Sequence, residues 1–139
     1  MALQDKLSEK SLERNKHTGT TLEKYLKSFF HAIDGIVYSL KYEHNMIIIA
    51  IATIVVVVLG ICLKIEAYEW LFILAICGAI AAVEMINSSI EAAIDLTTTE
   101  KHPLAKIAKD TASSATLILC IVAFIGGMII FVPKILELF

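Results

Sequence analysis

The feature that most restricts the fold of this chain is an apolar run over residues 46–63 that contains no charged side chain. Its length approaches the ~20 residues that an α-helix needs to cross the hydrocarbon core of a bilayer. Two further apolar stretches follow over about 69–95 and 104–132. Pro103 suits the first turn of the helix that contains the last stretch, and this stretch is apolar enough to span from about residue 112. The pattern predicts an all-α membrane protein with three transmembrane helices.

Composition supports a single small membrane domain. The chain has 139 residues, of which 58% are hydrophobic, so it is too apolar for an ordinary soluble domain and long enough for only a few spans. Residues 1–19 are polar and of mixed charge, without the apolar segment of a cleaved signal peptide. We therefore predict a flexible cytoplasmic tail over 1–19 and an integral membrane domain over 20–139.

A further helix is predicted over residues 20–41, before the first span. Its apolar residues recur at helical spacing and its charged residues lie largely opposite them, which is typical of an amphipathic helix in the membrane interface. A soluble helix packed on a core is the weaker interpretation, because the sequence that follows supplies no soluble core.

The basic residues predict the orientation. Ten of the 12 Lys and Arg residues lie before the first span or between the second and third spans, and only Lys64 and Lys134 lie on the other side. Because cytoplasmic loops are enriched in Lys and Arg, the amino terminus and the loop over 97–103 are expected in the cytoplasm.

A polar stripe runs along the second predicted span, made of four side chains that fall within about 80° of one another on a helix: Glu84, Asn87, Glu91 and Asp95. Three uncompensated acids at membrane depth would cost on the order of 8–10 kcal/mol. A cationic partner is therefore expected. It is either a Lys or Arg from a neighbouring helix or, as we favour because acids outnumber nearby bases, a metal and phosphate site.

The residue types in this region suit phosphoryl transfer. Mg²⁺ prefers oxygen ligands, so Glu43 and Glu91 are candidates to join a metal to a nucleotide, with Lys109 close to the phosphate charge. Glu84 lies deeper and suits a general base acting on a lipid hydroxyl. The chain has no Gly-rich phosphate loop, so a nucleotide site must be built from side chains and helix ends.

Several motifs occur in order over about residues 20–131. They are Ser28-Phe29, Glu43 with Asn45, Glu69-Trp70-Leu71, the Glu-x-x-Asn-x-x-x-Glu-x-x-x-Asp pattern of the polar stripe, and His102-Pro103-Leu104-Ala105-Lys106 followed by Ala108-Lys109-Asp110. With these motifs the sequence resembles the prokaryotic diacylglycerol kinase and undecaprenol kinase family of small integral membrane lipid kinases. The resemblance implies three transmembrane helices and a surface helix, assembled in the bacterial plasma membrane as a homotrimer with active sites shared between subunits.

The resemblance also implies roles for individual residues. Glu84 is expected to be the proton acceptor, Glu43 and Glu91 to hold Mg²⁺, and Asn87 and Asp95 to support the site. ATP is expected to contact Lys24, His31, Glu43, Glu91, Glu100, Lys101, His102, Lys109 and Asp110.

The expected function is ATP-dependent phosphorylation of a membrane lipid alcohol at the cytoplasmic surface, without a nucleic acid partner. The segments over 28–36 and 102–106 resemble the undecaprenol kinase branch, which favours undecaprenol as acceptor and leaves diacylglycerol as the alternative. Two other classes of protein are weaker hypotheses. A small cation or proton transporter would use the same intramembrane acids, and a noncatalytic assembly subunit would leave them unexplained.

Overall fold

The computed structural model describes residues 21–97 and 100–138, and the predicted tail over 1–19 lies outside them. The described part is all helical, with α1 at Thr21–Tyr42, α2 at His44–Cys62, α3 at Ala67–Thr97 and α4 at Pro103–Leu136. The last three helices are long and apolar enough to cross a membrane. The predicted fold class, an all-α membrane protein with three spans and a preceding helix, is confirmed.

The chain divides into two compact units, residues 1–37 and 38–139. In the described part of the first unit, α1 carries apolar side chains that are largely exposed, among them Phe29 and Phe30, which are 61% and 60% exposed. An ion pair joins Lys27 to Glu23 one turn earlier at 3.4 Å. The predicted helix is therefore present, and its place in the membrane interface stays a prediction.

In the second unit, α3 packs against both α2 and α4. Two ion pairs show that α3 and α4 are antiparallel. Lys109 near the start of α4 meets Asp95 near the end of α3, and Lys134 near the end of α4 meets Glu69 near the start of α3. We call the end that carries Asp95 and Lys109 the polar end, and the end that carries Glu69 and Lys134 the distal end.

The turn between α2 and α3 closes as a Schellman motif. The Ile65 amide donates to the Gly60 carbonyl at 3.1 Å, and the Lys64 amide donates to the Ile61 carbonyl at 3.3 Å. Lys64 takes the left-handed conformation that this motif requires, with φ of 50°. Gly60 fits because a Cβ there would lie 2.9 Å from both Ile65 Cδ1 and Trp70 Cη2.

The core of the second unit lies toward the distal end. Ile65, Ile73 and Ile130 are buried there, and Phe72 and Trp70 pack against them. The Phe72 ring lies directly over Gly126, which lets α3 and α4 approach closely. Most other apolar side chains of α2 and α4 are exposed, as expected of helices whose outer faces meet lipid or further protein chains.

Candidate active site

The most buried acid of the polar stripe is Glu84, at the point where α2 and α4 both approach α3. Its residue surface is 3% exposed. Asn45 Nδ2 donates to Glu84 Oε1 at 2.8 Å, and Thr116 Oγ1 donates to Glu84 Oε2 at 2.9 Å. Each carboxylate oxygen therefore receives a hydrogen bond from an uncharged donor on a different helix.

One turn along α3, Asn87 is 4% exposed and faces the same way as Glu84. Its Nδ2 donates to Glu91 Oε1 at 3.3 Å, but among the described residues its Oδ1 has no hydrogen-bond partner. An unsatisfied buried carbonyl oxygen costs about 1–3 kcal/mol. The oxygen is therefore well suited to accept a hydrogen bond or to bind a cation from a ligand.

Glu91 and Glu43, the predicted metal ligands, are both half-buried. Glu91 lies two turns from Glu84, about 10 Å along the helix axis. Glu43 is the one extended residue between α1 and α2, with φ of −98° and ψ of 113°. Over residues 21–97 and 100–138, no group of three or more His, Cys, Asp or Glu side chains is placed to hold a metal. The metal-binding role of this pair stays a prediction.

At the polar end, Lys109 Nζ donates to Asp95 Oδ1 at 2.5 Å. The exposed end of the stripe therefore meets the start of α4. Here a basic residue of a neighbouring helix does neutralise an acid of the stripe, which was the alternative interpretation, and among the described residues this occurs only at Asp95. One turn earlier on α4, Lys106 pairs with Asp110 at 2.6 Å.

A groove of about 890 Å³ opens at the polar end. It brings together five residues that the sequence assigned to ATP binding: Glu100, Lys101, His102, Lys109 and Asp110. Asp95 and Lys106 also line it. Its volume lies within the range of small-molecule sites. His102 caps α4, since its Nδ1 accepts from the Leu104 amide at 3.2 Å, and Pro103 begins the helix as predicted.

Two other residues assigned to ATP binding, Lys24 and His31, belong to the first unit, where both are exposed. The Lys24 carbonyl accepts from Ser28 Oγ at 3.0 Å within α1. Their contribution to a nucleotide site stays a prediction.

Sequence reasoning missed both hydrogen-bond donors to Glu84. Thr116 was not singled out, and Asn45 was noted only as part of a motif. The available signal was that Thr116 is the one hydroxyl in the apolar stretch over 115–132, at a depth where a polar side chain needs a partner. A second miss is Glu69 at the distal end, which pairs with Lys134 at 3.2 Å and accepts from the Glu66 amide at 2.6 Å.

Taken together, three membrane-length helices and a buried carboxylate on the stripe that leads to the groove define an integral membrane protein with an intramembrane acid site. The sequence model of the prokaryotic diacylglycerol kinase family matches residues 30–131, and the chain belongs to that family. It is therefore a kinase.

Curated relatives agree with this assignment. The chain is 36% identical over 113 residues to undecaprenol kinase of Bacillus subtilis, covering 81% of this chain and 92% of that protein. It is 42% identical over 106 residues to a diacylglycerol kinase of Helicobacter pylori, covering 76% of this chain and 83% of that protein. It is 35% identical over 80 residues to diacylglycerol kinase of Escherichia coli, covering 58% of this chain and 66% of that protein.

Proposed function

We propose that this kinase transfers the γ-phosphoryl group of ATP to the hydroxyl of undecaprenol at the cytoplasmic face of a bacterial plasma membrane. The observation that carries the proposal is the Glu84 carboxylate, 3% exposed and held by one uncharged donor on each oxygen. Such a group can take a proton from an alcohol at membrane depth, where an aqueous base cannot reach.

The order of side chains along α3 matches the two substrates. Glu84 lies deepest, where it meets a lipid hydroxyl, and Glu91 lies two turns nearer the groove at the polar end, where ATP enters. As Glu84 accepts the hydroxyl proton, the lipid oxygen bonds to the γ-phosphorus, the bond from that phosphorus to the bridging oxygen breaks, and ADP leaves. Little other covalent chemistry is required, so positioning and charge neutralisation dominate catalysis.

The predicted metal ligands are of the type that Mg²⁺ prefers. The carboxylates of Glu43 and Glu91 are hard oxygen ligands, and on the same face of α3 as Glu91 the buried Oδ1 of Asn87 has no hydrogen-bond partner among the described residues. When bound, the ion would supply positive charge to the phosphate oxygens. Glu91 accepts from the Asn87 amide on Oε1 at 3.3 Å, which links the two side chains along α3.

Lys109 is the cation best placed to meet the nucleotide. It lines the groove, and its side chain is 34% exposed while it pairs with an exposed Asp95. Exposed ion pairs contribute little net stability. Lys109 can therefore exchange Asp95 for a phosphate oxygen at small cost, and Asp95 would hold the ammonium near the site until ATP arrives.

We further propose a homotrimer with the polar end in the cytoplasm. The exposed apolar faces of α2 and α4 supply surface for contact with other copies. The excess of Lys and Arg before α2 and between α3 and α4 favours the cytoplasm at the polar end.

Undecaprenol is favoured over diacylglycerol on chemical grounds as well as by the relative from Bacillus subtilis. A polyprenol has no ester carbonyls, so its site needs one polar contact at the hydroxyl and otherwise apolar walls. The start of α2 beside Glu43 is of this kind, with Met46 buried and Ile47 and Ile48 exposed. Diacylglycerol is the second candidate because the relative from Helicobacter pylori is named for it.

The test is turnover of both lipids by purified protein in the same mixed micelles, with labelled ATP and separation of the lipid phosphates. We expect kcat/KM to be several-fold higher for undecaprenol. A several-fold preference for diacylglycerol would contradict the acceptor and leave the kinase assignment in place.

A further inference from the structure

Within the described helices, Thr116 differs from five other Ser and Thr residues in the group to which its hydroxyl donates, since those five donate to backbone carbonyls of their own helix. Four of them donate to a backbone carbonyl four residues earlier in the same helix, at 2.6 to 3.0 Å: Ser28, Ser89, Thr97 and Ser114. This local bond is the usual arrangement for Ser and Thr within helices. Thr116 instead donates across to α3, to Glu84 Oε2 at 2.9 Å.

The two donors on Glu84 together fix the plane of its carboxylate. The terminal torsion of a Glu side chain is broad, so a single hydrogen bond leaves the group free to turn. Asn45 from α2 holds Oε1 and Thr116 from α4 holds Oε2, which sets both oxygens. Each oxygen keeps a second lone pair, so the carboxylate remains able to accept a proton in a defined direction.

Thr116 and Asn45 are not equivalent partners for a group that changes its protonation state. The amide nitrogen of Asn45 only donates, whereas the hydroxyl of Thr116 both donates and accepts. When a proton arrives on the free lone pair of Oε2, the Thr116 hydroxyl can go on donating to the other lone pair; when the proton lies between the two oxygens, the hydroxyl can rotate and accept a hydrogen bond from it. The contact therefore survives in both protonation states, which avoids an unpaired polar atom at a half-buried position.

We propose that Thr116 is a positioning residue, which orients the Glu84 carboxylate toward the acceptor hydroxyl and keeps its hydrogen bond as the proton arrives. The inference rests on the proposed role of Glu84 as the proton acceptor. It assigns to α4 a part in the proton transfer step, in addition to the part that its first turns take in lining the groove.

Two substitutions separate positioning from packing. Thr116→Val keeps the shape and removes the hydroxyl, whereas Thr116→Ser keeps the hydroxyl and removes a methyl group. We expect Val to lower kcat by about tenfold or more with KM for ATP unchanged, because it removes a hydrogen bond to the charged carboxylate that orients the base. We expect Ser to retain kcat within about threefold. If Thr116 acted only by packing, the Val variant, which keeps the shape, would retain a higher kcat than the Ser variant.

The experiment measures kcat and KM for both variants in mixed micelles. The size of the oligomer in detergent solution checks that each variant assembles. If Thr116→Val does not assemble, Thr116→Ala takes its place. A wild-type kcat for Val or Ala, or a Ser variant as slow as Val, overturns the proposal. Glu84→Gln is assayed in parallel. Turnover retained by Glu84→Gln overturns the base itself, whereas an inactive Glu84→Gln beside a fully active Thr116→Val overturns only the role of Thr116.

Discussion

At the scale of single residues, the buried acid Glu84 is held by uncharged hydrogen-bond donors. The amide of Asn45 and the hydroxyl of Thr116 donate to Glu84. Lys109 at the polar end pairs instead with the exposed Asp95. A carboxylate held without an ion pair can change its protonation state without leaving a buried cation behind. This is the property that a proton acceptor needs.

The predicted metal ligands give the first testable consequence. Glu91→Gln and Glu43→Gln each keep the side-chain shape and lose an anionic ligand. The Mg²⁺ concentration for half-maximal turnover should therefore rise at least about tenfold. Tenfold is the smallest loss of metal affinity that is typical even when only a hydrogen-bond partner of a metal ligand is removed. The measurement is turnover against Mg²⁺ at fixed ATP. Glu66→Gln, an exposed acid at the distal end, is the matched control. Near-normal turnover of either variant at limiting Mg²⁺ would show that the assignment is wrong.

At the scale of helices, sequence patterns predicted the elements well and their contacts poorly. Apolar length and periodicity predicted the helices, and Pro103 correctly indicated the start of α4. The first span was predicted from residue 46 and begins at His44, because Glu43 alone is extended between α1 and α2.

Helical periodicity predicted the buried part of the candidate site only along α3, whereas the groove residues of the following loop and of α4 were expected from the family resemblance. A helical period places Glu84, Asn87 and Glu91 on one face, but it cannot say which residues of other helices meet that face. Asn45 and Thr116 lie 39 and 32 residues from Glu84, so their contacts depend on the rotation of α2 and α4 about their own axes. Glu69 begins the second predicted apolar stretch and Lys134 follows the third, and the sequence does not indicate that these two charges meet between α3 and α4.

The close approach of α3 and α4 at Gly126 predicts a sharp difference between two adjacent glycines. In Gly126→Ala the new Cβ would overlap the Phe72 ring at Cζ, whereas in Gly127→Ala the nearest atom is Phe131 Cδ2 at 3.9 Å. Gly126→Ala should therefore cost about 1–3 kcal/mol of stability, and Gly127→Ala little. Thermal unfolding in detergent measures both. Restoration of the melting temperature by Phe72→Leu in the Gly126→Ala chain would locate the clash, and equal melting temperatures for the two glycine variants would refute it.

The distal pair of Glu69 and Lys134 predicts non-additive stability. Glu69 also accepts from the Glu66 amide at 2.6 Å, as an acid at the third helical position does in a capping box, so it ties the start of α3 to the end of α4. Either Glu69→Gln or Lys134→Met alone leaves a largely buried charge without its partner and should lower the melting temperature. The double variant should lose less than the sum of the two single losses. Strictly additive losses would mean that the two charges do not interact.

At the scale of the whole molecule, the proposed homotrimer raises the question of whether one active site uses residues of two chains. The stripe, its two donors and the groove belong to one chain. The exposed faces of α2 and α4 offer surface on which another copy can pack. The proposal of shared sites predicts that Glu43 of one subunit works with Glu91 of another.

Mixing the Glu43→Gln and Glu91→Gln variants tests, at limiting Mg²⁺ where neither alone should turn over normally, whether subunits share a site. If Glu43 of one subunit works with Glu91 of another, oligomers assembled from Glu43→Gln and Glu91→Gln chains contain intact sites, roughly a quarter of the total after random assembly. The assay is lipid phosphate formation after the two variants are co-refolded. Each variant refolded alone is the control. A mixture as inactive as either variant alone would place both residues of the pair in one chain.

The central claim is that Glu84 removes the proton from the lipid hydroxyl, and Glu84→Gln tests it most directly. The amide can still accept from Asn45 and can donate to Thr116, so the assembly should stay intact. The measurement pairs lipid phosphate formation from labelled ATP with the dissociation constant for Mg·ATP on the same preparation. We predict that transfer falls by about 10²–10⁴-fold while nucleotide affinity hardly changes. Retained transfer, or a large loss of ATP affinity, would contradict the account.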